Sequence, residues 1–167
     1  MPLFLSVSYT HLDVYKRQLL TFVPIVVGYI INLSILWPAI GLIIFYILPL
    51  ATSVFWFYLG RLYAGNNWKT IPALLIGNAT GVISLLVYLW QYLLETDETM
   101  NLALAAASQM FSNSAPIYLL ARFAILFESQ PNYIGRASMV ALNVISVMYM
   151  IVIFVLGFIW GKKTKKM

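Results

Sequence analysis

Residues 18–60 read QLLTFVPIVVGYIINLSILWPAIGLIIFYILPLATSVFWFYLG and contain no Asp, Glu, Lys, Arg or His. This stretch is long enough for two membrane-spanning helices, because each needs about 20 predominantly apolar residues. Two further stretches without a charged residue follow, at 70–94 and 137–161. The sequence therefore predicts an integral membrane protein built from helices.

The composition of the chain agrees with this prediction. Hydrophobic residues make up 62% of the 167 residues and charged residues 9%, whereas about 25% of the residues in a soluble domain are charged. Cysteine is absent, which excludes disulfide bonds, thiolate nucleophiles and cysteine metal sites within this sequence. The net charge of +5 does not indicate a nucleic-acid partner, because most of the basic residues flank the apolar stretches.

A polar segment at the start of the chain interrupts the apolar pattern. Residues 7–18 read VSYTHLDVYKRQ. A DNA string that is its own reverse complement can encode this segment, which resembles two copies of a transposon end used to fragment DNA for sequencing. We therefore interpret residues 1–18 as an assembly artefact, exclude them from the fold prediction and expect the native N-terminus to be missing. On this interpretation His11, the only histidine, has no functional role.

Four membrane spans are predicted in a single membrane domain at 19–161. They occupy about 19–36, 39–60, 70–94 and 137–160. Trp37 and Pro38 provide a short connection between the first two spans, because proline disfavours helix in the residue before it. The predicted fold class is all-α, a polytopic membrane bundle of four transmembrane helices with an additional interfacial or re-entrant helical segment.

The basic residues predict the orientation of this bundle. Arg61, Lys69 and the lysines of the tail at 162–167 fall on one side of a four-span arrangement, opposite the acidic residues, Arg122 and Arg136. Because basic residues are enriched in cytoplasmic loops, we expect a multi-pass protein of the cell membrane with a cytoplasmic C-terminus. The tryptophans predict the same orientation, since the outer interface would hold Trp37 and Trp90 and the inner one Trp56, Trp68 and Trp160.

The segment at 99–130 fits neither a span nor a simple loop. Its apolar part at 117–127 contains Arg122, whose cost of about 3 kcal/mol in the middle of a spanning helix nearly cancels the gain from its apolar neighbours. We predict two short helices at about 100–111 and 117–127, broken at 112–116. Such a segment either lies along the outer interface or enters the membrane as a re-entrant loop, which must then be buried in protein.

Small residues recur at every fourth position of the predicted third span, at Ala73, Gly77 and Gly81. This spacing forms a groove in which another helix can approach closely. We predict that the groove packs within the same bundle. An interface with a second copy of the chain or with a different membrane protein is the alternative.

Three polar residues are candidates for a cavity that accepts a neutral or weakly charged solute. They are Asn78 and Asn143, which lie within predicted spans, and Arg122. The alternative, which we favour, is that the amides form hydrogen bonds between helices, while Arg122 pairs with Glu128 or extends to the lipid headgroups.

No catalytic, cofactor or metal site is predicted. The carboxylates of Glu95, Asp97 and Glu98 are expected to be solvated or to cap a helix rather than to bind a cation. Residues 19–167 contain no histidine, no glycine-rich phosphate loop and no motif that identifies a family. We expect a non-catalytic accessory or partner-binding membrane subunit. A transporter or channel component for a neutral or weakly charged small solute is the alternative, and a membrane enzyme ranks behind both.

Overall fold

The computed structural model describes residues 15–65, 69–128 and 135–164. His11, Trp68 and the end of the basic tail lie outside these ranges. Every regular element within them is helical. The elements are α1 (Val23–Ser34), α2 (Ile40–Ala64), α3 (Thr70–Leu89) with a π-helical turn (Trp90–Leu94), α4 (Leu102–Asn113), α5 (Ile117–Ala124) with a 3-10 turn (Ile125–Phe127), and α6 (Arg136–Thr164).

Four helices in the described part of the chain are long and apolar enough to cross a membrane, namely Tyr15–Ser34, Ile40–Ala64, Thr70–Leu94 and Arg136–Thr164. Their apolar windows are only 22% to 28% buried inside the bundle. Large hydrophobic side chains such as Leu36, Ile71 and Leu94 remain mostly exposed, and a soluble protein rarely exposes so much contiguous apolar surface. The predicted fold class, an all-α membrane bundle of four spanning helices with an additional helical segment, is confirmed.

Helix ends extend beyond the uncharged stretches that predicted them. α2 continues past Arg61, and α6 begins at Arg136 and continues through Lys162. A charged side chain limits burial in lipid, but lysine and arginine are good helix formers. Residues 15–18, which the sequence prediction set aside, are helical and lengthen the first span.

Glycines bring α2 and α6 into backbone contact. A Cβ atom on Gly60 would overlap the carbonyl oxygen of Phe154, and a Cβ atom on Gly157 would overlap the carbonyl oxygen of Phe57. Because glycine lacks this atom, the two backbones can lie against each other. We call this contact the closed seam.

Aromatic rings fill the middle of the bundle. The ring centroid of Trp56 lies 5.6 Å from that of Phe111 and 5.5 Å from that of Phe154, and the centroids of Tyr63 and Phe154 are 5.4 Å apart. The interplanar angles are tilted or edge-to-face, which aromatic pairs prefer. Trp56, which was expected at or near the inner membrane interface, has a side chain that is fully buried among rings from α4 and α6.

α4 and α5 form a helix pair bent by 107°. α4 ends at Asn113 and α5 begins at Ile117, close to the break predicted at 112–116. α4 packs between α1 and α3, and a Cβ atom on Gly28 of α1 would overlap the backbone of Met110. The serine hydroxyls of this segment donate to carbonyl oxygens three residues back along the chain, in the pairs Ser108–Ala105, Ser112–Gln109 and Ser114–Phe111.

The two ends of this bent pair lie at the same end of the bundle. The backbone N–H of Asn101, before α4, donates to Oε1 of Gln91 at the end of α3 over 2.8 Å. Glu128, after α5, accepts the backbone N–H of Gly135 at the start of α6 over 2.7 Å. The guanidinium of Arg136 donates to a backbone carbonyl oxygen at the end of α3 over 3.4 Å. The pair therefore enters the bundle and returns to the end from which it came.

Candidate functional site

Two asparagines are buried within the spanning helices. Asn78 is 5% exposed and Asn143 is 6% exposed. The Asn78 amide nitrogen donates to the carbonyl oxygen of Leu74 over 2.9 Å, whereas Oδ1 of both asparagines finds no hydrogen-bond partner among the described residues. Ser146 Oγ and Trp56 Nε1 are also buried without a hydrogen-bond partner among the described residues. Leaving a buried polar atom without a hydrogen-bond partner costs about 1–3 kcal/mol.

Arg122 does not join these asparagines. It is exposed on α5, beside the exposed side chains of Leu119 and Phe123, whereas Leu120 and Ala124 are buried against the bundle. The structure thus places one member of the predicted polar cavity on the outer surface and the other two inside. A helical period shows which residues share a face of α5, but it does not show which face meets the other helices.

The small residues of α3 face side chains of the same chain. A Cβ atom on Gly77 would overlap the Phe154 ring, and one on Gly81 would lie 2.6 Å from the Phe111 ring. Ala73, one turn earlier, is fully buried. This face of α3 is therefore filled by α4 and α6 and is not open to a helix of a second chain.

Polar contacts at the π-helical end of α3 position α4. Gln91 is 2% exposed and accepts the Asn101 backbone N–H. The Tyr92 hydroxyl accepts a hydrogen bond from the amide nitrogen of Gln109 over 2.8 Å. Asn101 Oδ1 in turn caps α4 by accepting the Leu104 N–H over 3.1 Å. This arrangement was not predicted, although an asparagine directly before an apolar run is a recognised start signal for a helix.

The acidic residues next to these contacts remain on the surface. Asp97 and Glu98 are exposed, and Glu95 is partly exposed. Within the described ranges, no three histidine, aspartate or glutamate side chains are placed to hold a metal ion. Asn101, rather than an acidic residue, caps the following helix.

Glu128 connects the end of the bent pair to the start of α6. Its Oε1 atom accepts the backbone N–H groups of Gly135 at 2.7 Å and Ser138 at 2.9 Å. Hydrogen bonding from the Ser138 side chain and backbone, together with the Gly135 amide, holds the pKa of Glu128 below its ordinary value. A carboxylate at this position also interacts favourably with the positive end of the α6 dipole.

Two grooves open on the outer surface between α3 and α6. The arginine groove has a volume of about 580 Å³ and is lined by Leu93, Phe127, Arg136, Ala137, Val140, Ala141, Val144 and Ile145. The lysine groove, at the opposite end of the same helices, has a volume of about 330 Å³ and is lined by Thr70, Leu74, Val155, Phe158, Ile159, Lys162 and Lys163. Between the grooves, the ring of Phe154 lies against Gly77 and separates the two helices.

The two grooves differ in their electrostatic surroundings. Arg136 at the arginine groove belongs to the end of the bundle that also holds Glu95 and Glu128. At the lysine groove the charged side chains of the described residues are all basic. The sequence could not predict either groove, since each depends on how far apart α3 and α6 lie.

No protein-family model matches this chain, and no curated protein or solved structure is significantly similar to it. The function is therefore inferred from the geometry of the bundle.

Proposed function

We propose that this protein is a non-catalytic accessory subunit that binds a spanning helix of a membrane partner in the arginine groove. The observation that carries the proposal is the contrast between the middle of the bundle, which aromatic rings fill, and this groove, which opens on the outer surface. A subunit that works through a partner needs an accessible surface rather than an internal cavity.

The shape of the arginine groove suits an apolar helix. Ala137 and Ala141 lie one turn apart on α6, so the floor is low, while Leu93 of α3 and Phe127 after α5 form the walls. Small side chains at this spacing allow a second helix to approach closely. The floor from 137 to 145 extends about 12 Å along α6, which is enough for two turns of a partner helix.

We also propose that the protein is multi-pass in the cell membrane with its C-terminus in the cytoplasm. Support comes from the distribution of charge, because the carboxylates of the described residues lie at the end of the bundle opposite Lys162 and Lys163. Basic residues are enriched on the cytoplasmic side of membrane proteins. Trp160, which is 56% exposed, lies near the basic end, as expected for a residue at a membrane interface.

The test fills the arginine groove without disturbing the core. We expect Ala141→Trp to abolish co-purification of the partner from native membranes, because the indole would occupy the space of the incoming helix. Leu156→Trp is the matched control, since Leu156 is 50% exposed on the same helix and lines neither groove. Partner recovery that is equal for the two variants, both folded, would refute the proposal.

A transporter or channel component for a neutral or weakly charged solute is the second candidate. Support comes from the unpaired Oδ1 atoms of Asn78 and Asn143 and from a bent helix pair that reaches the middle of the bundle. In this case, uptake of small neutral solutes by reconstituted vesicles would fall when both asparagines are replaced by leucine. The accessory function predicts no uptake by either protein.

A further inference from the structure

The lysine groove combines an apolar floor with a cationic rim. Side chains of both α3 and α6 form the floor, and Lys162 and Lys163 stand at its end. Nζ of Lys162 lies 5.5 Å from the centroid of the Phe158 ring, a cation–π distance that holds the ammonium group beside the groove. α6 rises about 10 Å between Val155 and Lys162, so lysines at headgroup level would place the floor in the hydrocarbon.

The surrounding charges favour an anion at this rim. Arg61 and Lys69 belong to the same end of the bundle, because the backbone of Arg61 packs against Gly161 of α6 and Lys69 precedes α3. The carboxylates of the described residues belong to the opposite end. An anionic group bound beside Lys162 and Lys163 would therefore meet attraction without a nearby carboxylate to oppose it.

The start of α3 contributes a hydroxyl group to the lysine groove. Thr70 lines the groove and is exposed. Lys69, at the N-cap of α3, has no side-chain acceptor for the first amides of the helix. The positive end of the helix dipole adds to the attraction exerted by the two lysines.

We propose that the lysine groove binds a phospholipid with an anionic headgroup. The phosphate lies between Lys162, Lys163 and the Thr70 hydroxyl, and one acyl chain lies along the apolar floor. Charge complementarity selects this occupant over an apolar partner helix, which would leave two ammonium groups without a counter-charge. This binding is independent of the partner proposed for the arginine groove, because the two grooves lie at opposite ends of α3 and α6.

The first experiment measures lipid binding to the full chain in detergent by native mass spectrometry. Phosphatidylglycerol and phosphatidylcholine with the same acyl chains are the probes, and we expect retention of the anionic lipid at concentrations at which the zwitterionic lipid is lost. Replacing Lys162 and Lys163 by glutamine should weaken phosphatidylglycerol binding about fivefold per lysine and about 30-fold together.

The control for charge is the pair Arg61→Gln and Lys69→Gln. It removes the same number of positive charges from the same end of the bundle, but neither residue lines the groove. Because both side chains are exposed, lie outside the groove lining and are screened by salt, we expect at most about a twofold loss. An equal loss in the two double variants, or equal binding of the two lipids, would overturn the proposal.

The control for shape leaves every charge in place. Val155→Trp should block the apolar floor and abolish retention of phosphatidylglycerol, whereas Leu156→Trp, on a neighbouring face of α6, should not. Melting temperatures in detergent identify variants that are misfolded. If folded Val155→Trp protein binds the lipid as strongly as the unaltered chain, no acyl chain occupies the groove and the proposal fails.

Discussion

α6 meets α2 and α3 in opposite ways, although glycines lie at both contacts. In the closed seam with α2, Gly60 and Gly157 each face a backbone carbonyl of the other helix. In the contact with α3, Gly77 faces the ring of Phe154. A glycine opposite a backbone lets two helices close, whereas a glycine that receives an aromatic ring holds them at the distance the ring requires.

This difference explains where the open surface lies. The ring of Phe154 occupies the middle of the contact between α3 and α6, and the grooves lie towards its two ends. A motif of small residues therefore indicates that something packs closely but does not identify the partner atom. The partner atom decides whether the two helices meet along their length or leave room for a lipid or another helix.

The largest expected effect comes from adding a methyl group to the closed seam. Gly157→Ala places Cβ in the position of the Phe57 carbonyl oxygen, and a backbone cannot move aside without separating the helices. We expect destabilisation by about 3 kcal/mol or more, seen as a lower melting temperature and loss of monodisperse protein in detergent.

Gly65→Ala is the control for this prediction. The added Cβ would meet only the carbonyl oxygen of Leu62, at 3.2 Å. If the Gly157→Ala variant had the same melting temperature as this control, the closed seam would tolerate separation of the two helices. This result would remove the proposed difference between the two contacts.

An intermediate effect is expected at the ring contact, where the obstacle is a side chain. Gly77→Ala should cost about 1–3 kcal/mol, and the cost should shrink when Phe154 is replaced by leucine, which lacks the end of the ring. The same replacement should not rescue Gly60→Ala, whose obstacle is the backbone oxygen of residue 154. Double-mutant cycles on melting free energies separate the two cases, and rescue at both glycines or at neither would contradict the comparison.

The smallest effect concerns the attachment of α6 to the bent pair. The pKa of Glu128 is lowered in the folded protein by hydrogen bonds from Ser138 and Gly135. Its contribution to stability is therefore complete above the ordinary carboxyl value of 4.5 and is lost as the pH falls through the lower folded value. We expect acidification from neutral pH to well below the ordinary carboxyl value to lower amide protection at Ser138, towards the level of Glu128→Gln at neutral pH.

Glu98→Gln is the control for the acidification experiment, because Glu98 is exposed at the same end of the bundle. Hydrogen exchange at Ser138 measures the local effect directly. Protection that is unchanged in Glu128→Gln protein would show that the carboxylate does not hold the start of α6.

The sequence predicts the spanning helices well because lipid imposes a simple rule. A run of about 20 apolar residues must form a helix there, since unpaired backbone groups are costly in hydrocarbon. The break before α5 was also predictable, because Pro116 follows a polar run. Helix ends were less predictable, because the uncharged runs stop before Arg61 and Lys162 whereas the helices continue past these residues.

The candidate sites were much less accessible to prediction. Asn78, Asn143 and Arg122 share polar chemistry, but the rotation of α5 about its axis places Arg122 outside. Trp56 was expected near an interface because tryptophan often lies there, and the packing of its side chain among rings of α4 and α6 could not be predicted from the sequence. The grooves arise from the separation of α3 and α6, a distance to which residues from several helices contribute.

The hydrogen bonds that the serines in and directly after α4 form with nearby backbone carbonyls have a consequence for biogenesis. Their hydroxyls are satisfied within the segment, yet Gln109 and Asn101 depend on acceptors that α3 supplies. During synthesis α3 leaves the ribosome before α4, so those acceptors are already present when α4 emerges. We therefore expect α4 to insert against α3, which already offers these acceptors, and not to partition alone from the translocon into lipid.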